Sequence, residues 1–209
     1  MCGQNTLKRL SKIRGPFLFT NDAQLNILSG NFQPDAGVIS GILNNLSIAA
    51  PATFNISNTL EVTGTINNAG VITFAGLGGL DVLEYEGSTT FQGGGEVVLV
   101  DQNSRIQAGS GNLPDDQLIN ATGHTIRGQG RITGDVVNQG TIRAQGGLLT
   151  LTPSAFDNSA GRVEVAADGE LDFFSAFTNS LGDLSIETGG KIAAGSRLVD
   201  VNLIGPGPL

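Results

Sequence analysis

The sequence predicts an all-β fold, a single-stranded right-handed parallel β-helix of about eight rungs with a short N-terminal capping segment. Three observations indicate this fold class: a glycine-rich composition, a template of two miniature strands that recurs along the chain, and asparagines at nearly regular intervals. Glycine accounts for 31 of the 209 residues and charged side chains for only 14%, whereas apolar residues reach 39%. This composition is typical of short strands joined by turns and argues against disorder.

The repeated template is a glycine followed by apolar residues at alternate positions, and then a second glycine followed by the same pattern. Its four copies occupy residues 70–82, 140–151, 161–173 and 182–194. Alternation puts the apolar side chains on one face of each strand. One such unit cannot bury its apolar face alone, so we expect successive units to stack about 4.8 Å apart. Stacking would align Ile72, Ile142, Val163 and Leu184 in one interior column.

An asparagine precedes the first glycine of each copy, and two more asparagines take comparable places between the copies. The resulting series is Asn68, Asn103, Asn120, Asn138, Asn158 and Asn179. From Asn103 onward the spacing is 17 to 21 residues, and we interpret the 35 residues between Asn68 and Asn103 as two rungs. Asparagine tolerates the backbone angles of turns and stacks as an amide ladder. We therefore predict a structural turn ladder rather than a catalytic series.

Outward-facing charges support the same alignment. In adjacent rungs, the alignment places residues of opposite charge side by side: Arg143 and Glu164, Arg162 and Asp183, and Glu170 and Lys191. Each exposed pair stabilises a sheet by only a few tenths of a kcal/mol, roughly. Their agreement therefore indicates the register more than it adds stability.

These patterns predict three regions along the chain. Residues 1–20 form a basic N-terminal segment, in which residues 5–13 are expected to make a short amphipathic helix that covers the open first rung. Residues 21–196 form the β-helix, with residues 109–116 as a protruding loop. Residues 197–209 form a C-terminal tail, where the glycines and prolines that follow Ile204 end the solenoid.

The charge distribution disfavours nucleic acid as a partner. The first 14 residues hold four of the 11 basic side chains and no acidic one, which leaves seven basic against 19 acidic residues in the remainder. Such a body repels phosphates. The only cysteine is Cys2, so an internal disulfide is excluded. No apolar run approaches the ~18 residues of a membrane span, and we expect no membrane insertion by this chain.

Three stretches of the repeat region look like those of a known class of proteins. Residues 91–99, 119–132 and 137–144 resemble passenger repeats of bacterial autotransporter and haemagglutinin-like surface proteins. The resemblance implies a right-handed β-helix displayed outside the cell or on its surface, for adhesion or as a stalk. The chain departs from that pattern in lacking an export signal, and we expect it to be a piece of a larger product or a short relative.

An enzymatic alternative comes from other β-helices that act on polysaccharides. Asp115, Asp116, His124 and Arg131 resemble the carboxylates, histidine and arginine of polygalacturonase-like enzymes. Inverting glycosidases need two carboxyl groups about 6.5–9.5 Å apart across the sugar. The acidic pair precedes the histidine by less than half a rung, so these side chains should point to different sides. We predict no catalytic residues.

No cofactor or metal site is predicted either. His124 is the only histidine, which excludes a multi-histidine metal site, and we expect it to be exposed beside a turn. The glycine runs at 93–95 and 128–130 are not phosphate loops, because no helix and no Gly-Lys-Ser/Thr sequence follows them.

The sequence therefore predicts an extracellular structural or adhesin-type module that presents loops such as 109–118 to a glycan or to a protein on a host or neighbouring cell. The alternative is a glycan-active β-helix enzyme, a polysaccharide lyase or hydrolase. Ligand identity and oligomeric state stay open, since structural repeats specify fold better than ligand.

Overall fold

The computed structural model is all-β, and its parallel strands stack as a right-handed β-helix of about seven turns, which confirms the predicted fold class. It describes residues 4–7, 17–18, 23–28, 31–32, 39–40, 42–109, 113, 115–174, 176–178, 182–193, 197–199 and 202–205. Within these ranges, no helix is long and apolar enough to span a bilayer.

The strands follow one another along the chain with short turns between them. In chain order they are β1 (Gln4–Leu7), β2 (Phe17–Leu18), β3 (Ala23–Ile27), β4 (Asn31–Phe32), β5 (Ile39–Ser40), β6 (Ile42–Ile48), β7 (Thr53–Ile56), β8 (Thr59–Asn68), β9 (Val71–Phe74), β10 (Asp81–Gln92), β11 (Glu96–Leu99) and β12 (Ser104–Ala108). They continue as β13 (Gln117–Asn120), β14 (Thr125–Thr133), β15 (Asp135–Asn138), β16 (Thr141–Thr152), β17 (Phe156–Asp157), β18 (Arg162–Val165), β19 (Glu170–Phe173), β20 (Ala176–Thr178), β21 (Asp183–Ile186), β22 (Lys191–Ile192), β23 (Arg197–Val199) and β24 (Asn202–Ile204).

Each turn contributes to three stacks of parallel strands, which we call faces 1, 2 and 3. Face 1 contains β4, β7, β9, β11, the first halves of β14 and β16, and then β18, β21 and β24. Face 2 contains the first parts of β6, β8 and β10, then β12, the second halves of β14 and β16, β19 and β22. Face 3 contains β1, β3, the second parts of β6, β8 and β10, then β13, β15 and β17.

The core on face 1 is a column of stacked aliphatic side chains. Ile72, Val97, Ile126, Ile142, Val163 and Leu184 are successive register partners, and all six are fully buried. The predicted interior column is therefore confirmed. Val163 and Leu184 are neighbours in it, on successive turns. Each such side chain contributes about 1.5–3 kcal/mol of burial free energy relative to full exposure.

The outward charges on faces 1 and 2 confirm the predicted register. Arg143 and Glu164 are register partners and form an ion pair at 2.6 Å. Arg162 lies beside Asp183 as expected, and its guanidinium also reaches Glu164 at 3.2 Å. Glu170 and Lys191 are register partners as well.

The two ends of the chain differ from the sequence-based bounds. Gln4–Leu7 forms strand β1 and pairs with β3, so the first part of the capping helix expected over residues 5–13 is wrong; residues 8–13 lie outside the described residues. Strands β23 and β24 lie beyond residue 196 and pair with β20 and β21. Parallel backbone pairing therefore continues to Ile204 rather than ending at residue 196.

The chain makes about seven turns rather than eight because one of the predicted turns does not exist. Asn103 directly precedes β12 on face 2, and its carbonyl oxygen accepts a hydrogen bond from the Asp81 N–H at 3.1 Å. Longer corners between the faces stretch the two turns that separate Asn68 from Asn120. The sequence predicts three turns between Asn68 and Asn120, and the structure has two turns with longer corners.

Candidate functional site

The most distinctive polar feature is a hydrogen-bonded ladder inside the corner between faces 3 and 1. Its members are all buried, and we call them the polar ladder: Asn68, His124, Asn120, Asn138 and Asn158. Four of these residues belong to the predicted asparagine series. Asn103 does not belong to it, since it is exposed on face 2, and Asn179 lies outside the described part of the chain.

The amides of the ladder donate in one direction. The Asn120 side-chain N–H donates to Asn138 Oδ1 at 2.7 Å, and the Asn138 side-chain N–H donates to Asn158 Oδ1 at 2.5 Å. The second N–H of each amide donates to a main-chain carbonyl on the following face-1 strand, at Thr141 for Asn120 and at Arg162 for Asn138. Each amide therefore ties two adjacent turns together and leaves neither N–H unsatisfied.

His124 joins Asn68 to this series. Its Nδ1 lies 2.7 Å from Asn120 Oδ1, and its Nε2 lies 3.1 Å from Asn68 Nδ2. The Gly70 N–H donates to Asn68 Oδ1, which fixes the Asn68 amide with its nitrogen toward the imidazole. Because Asn68 can only donate there and Asn120 Oδ1 can only accept, the network assigns a neutral ring with its proton on Nδ1.

The surroundings keep this imidazole neutral. Burial lowers the pKa of His124 to about 4, although the negative charge of Glu96 partly opposes the shift. The ring packs against Phe91 with their centroids 5.6 Å apart. The expectation of an exposed histidine is therefore wrong, and the reason is that its polar atoms find both partners inside the solenoid.

His124 stands at a position that glycine occupies in the neighbouring turns. The residue just before a face-1 strand is glycine in the neighbouring turns, at Gly70, Gly95, Gly140 and Gly161. A Cβ on Gly161 would lie 2.3 Å from the Asn138 carbonyl oxygen, so this corner ordinarily excludes a side chain. Residues 93–95, in the turn between Asn68 and His124, are all glycine, and a Cβ on Gly95 would lie 2.9 Å from Oδ1 of Asn68, whose amide nitrogen contacts His124.

We expect Gly161→Ala to lower the free energy of unfolding by about 2 kcal/mol, because the added methyl group must displace main-chain atoms of Asn138 in the preceding turn. Gly94→Ala is the matched control, since a Cβ at Gly94 meets nothing within 4 Å. Urea denaturation of both variants measures the difference. Equal effects of the two substitutions would contradict the close approach of successive turns at this corner.

The residues that resembled a glycosidase site do not come together. The Asp116 carboxylate accepts hydrogen bonds from the Gly87 and Leu113 N–H groups, both at 2.7 Å, and it is buried beside the loop that it closes. Asp115 is exposed, Arg131 is exposed on face 2, and His124 lies within the polar ladder. Among the described residues, no group of three His, Cys, Asp or Glu side chains is placed to hold a metal ion.

The outer surface of face 1 carries an ion-pair network. Arg127 binds Glu96 with two hydrogen bonds of 2.7 and 2.8 Å, and Arg143 binds Glu164 and Glu187 at 2.6 Å each. The Arg127 guanidinium lowers the pKa of Glu96 by donating these hydrogen bonds. Glu96 was not identified as a functional candidate from the sequence. Its register partner is Thr125, the residue after His124, so Glu96 lies one turn away from the histidine.

Comparison of the chain with protein-family models, with curated proteins and with solved structures found no match in any of the three.

Proposed function

We propose that this chain is a structural or adhesin-type β-helix module that acts outside the cell and presents its outer faces for binding. The observation that carries the proposal is that the members of the polar ladder bind one another or main-chain atoms of adjacent turns. His124, the only imidazole in the chain, is held by two amides and has no access to a substrate. The polar ladder therefore stabilises a rod, and recognition is left to the outer surface.

The resemblance of residues 91–99, 119–132 and 137–144 to passenger repeats supports an extracellular or cell-surface location. The low number of charged residues and the regular strand stacking also suit a stalk that holds its shape without a ligand. A glycan or a protein on a neighbouring surface is the class of partner that such a rod would meet.

A glycan-binding screen and a reducing-sugar release assay on the full chain test the proposal together. We expect retention of at least one glycan class and no release of reducing ends, with a thermally unfolded sample as the control for binding. Release of reducing sugar that disappears in Asp115→Asn or Asp116→Asn would contradict the proposal and would favour the polysaccharide-degrading alternative.

A further inference from the structure

Two arginines on face 2 lie side by side without an acidic partner. Arg105 and Arg131 are register partners on successive turns, so their backbones are about 4.8 Å apart. Val82 and Thr150, neither of them charged, are the next register partners in this outward row. Adjacent like charges in a sheet destabilise it unless something neutralises them.

Face 1 contains a comparable pair of adjacent arginines, but there each arginine is neutralised by acidic side chains. Arg127 and Arg143 are also register partners, but Glu96 binds the first, and Glu164 and Glu187 bind the second. Arg105 and Arg131 form no ion pair with any residue that the structure describes. In addition, Arg105 Nε is buried and has no hydrogen-bond partner. A buried donor without a partner is unfavourable and is not compensated within the described residues. The terminal N–H groups of half-buried Arg105 and exposed Arg131 are the ones suited to an anion from outside.

A polar groove adjoins the two arginines. It has a volume of about 320 Å³ and is lined by Gln107, Ala108, Thr133, Gly134, Thr152 and Ser154. Gln107 and Thr133 each lie two residues after one of the arginines, and side chains two apart on a strand point to the same side. Amide and hydroxyl groups at the base of a groove, with guanidinium groups beside it, match sugar hydroxyls next to a carboxylate or sulfate.

We propose that this groove binds an acidic glycan, with the carboxylate or sulfate group held by Arg105 and Arg131 and the sugar hydroxyls held by Gln107 and Thr133. The inference rests on the proposed function, because it names the ligand class of that binding module. Guanidinium forks bind such planar or tetrahedral anions with paired hydrogen bonds.

Acidic residues on both sides of the two arginines limit where the anion binds. Glu84 is the register partner of Gln107 and accepts its side-chain N–H at 2.7 Å. Glu61 lies one turn further away, and burial together with Glu84 and Glu86 raises its pKa. On the other side, Asp172 is the register partner of Thr150 and lies two turns beyond Arg131, so the acidic group of the ligand binds between the two arginines. A nucleic acid fits less well, because the lining contains no aromatic side chain for base stacking and the chain carries a net charge of −8.

Titration of the full chain with a heparin oligosaccharide, with an oligogalacturonate and with neutral dextran tests the inference. We expect saturable binding of at least one acidic probe and none of dextran, with an affinity that falls as salt rises. Arg105→Gln/Arg131→Gln should weaken binding by about tenfold or more. If the double variant fails to fold, the single variant Arg131→Gln replaces it in the titration and should weaken binding of the acidic probe severalfold. Glu84→Gln should strengthen it.

The matched control is Arg127→Gln/Arg143→Gln, which removes the same two charges from the neutralised pair on face 1. Equal losses in both double variants would overturn the inference, because they would indicate a response to net charge alone. It would also fail if a single-stranded oligonucleotide bound as tightly as the acidic glycans, or if no acidic probe bound. In that last case, retention of another glycan in the screen would leave the proposed binding function intact.

Discussion

Asn138→Ala is expected to lower the free energy of unfolding by about 4 kcal/mol. The substitution removes the amide at the centre of the polar ladder, and three polar groups in the turns on either side of Asn138 lose a partner at once. The Asn120 N–H loses one acceptor, while Asn158 Oδ1 and the Arg162 carbonyl oxygen lose a donor. An unsatisfied buried polar group costs about 1–3 kcal/mol, and Asn138 is itself buried.

Urea denaturation monitored by circular dichroism measures this loss, and Asn103→Ala is its control. Asn103 comes from the same predicted series but is exposed on face 2, so its replacement should change stability by less than about 0.5 kcal/mol. Asn138→Asp separates hydrogen bonding from packing, because a carboxylate keeps the shape of the amide but cannot donate to Asn158. If the aspartate variant were as stable as the unsubstituted chain, the directional ladder would be wrong.

The face-1 core could be predicted from the sequence because its signal is local. Alternation within five residues places Ile142 or Val163 inward, and the turns from 138 to 195 have nearly constant length, so equivalent positions align by counting. Counting fails where corners lengthen. The register advances by 25 residues from Val71 to Glu96 but by 16 from Thr125 to Thr141, and this variation led to the wrong placement of Asn103.

Because turn length varies, the sequence could not predict the two contacts that matter most for chemistry. His124 and Asn68 are 56 residues apart in the chain, and the turn that contains the glycines at 93–95 lies between them. Arg105 and Arg131 become neighbours only through the register of β12 and β14. The signal that could have found His124 is its position, since it stands where the repeat elsewhere has glycine.

The free energy of unfolding is expected to fall by about 3 kcal/mol as the pH decreases from 6.5 to 4. The pKa of His124 is about 4 in the folded chain, below its ordinary value of 6.5, so the unfolded chain takes up the proton first. The stabilisation from a neutral His124 is therefore complete above pH 6.5, declines through this interval and is lost below pH 4. Protonation would set an Nε2–H against the donating amide of Asn68, which explains why the folded chain resists it.

The His124→Gln variant isolates this contribution from the acidic residues. It should be less stable than the unsubstituted chain at pH 7, and the two stabilities should converge as the pH approaches 4, because glutamine does not titrate. Loss of the Glu96–Arg127 interaction occurs in both proteins, and only the weaker electrostatic coupling between Glu96 and His124 differs between them. Since His124 is the only histidine, the chemical shift of its ring C–H also reports its pKa directly by NMR. A stability difference that stayed constant with pH, or a ring that titrated near pH 6.5, would mean that the imidazole is not held between Asn68 and Asn120.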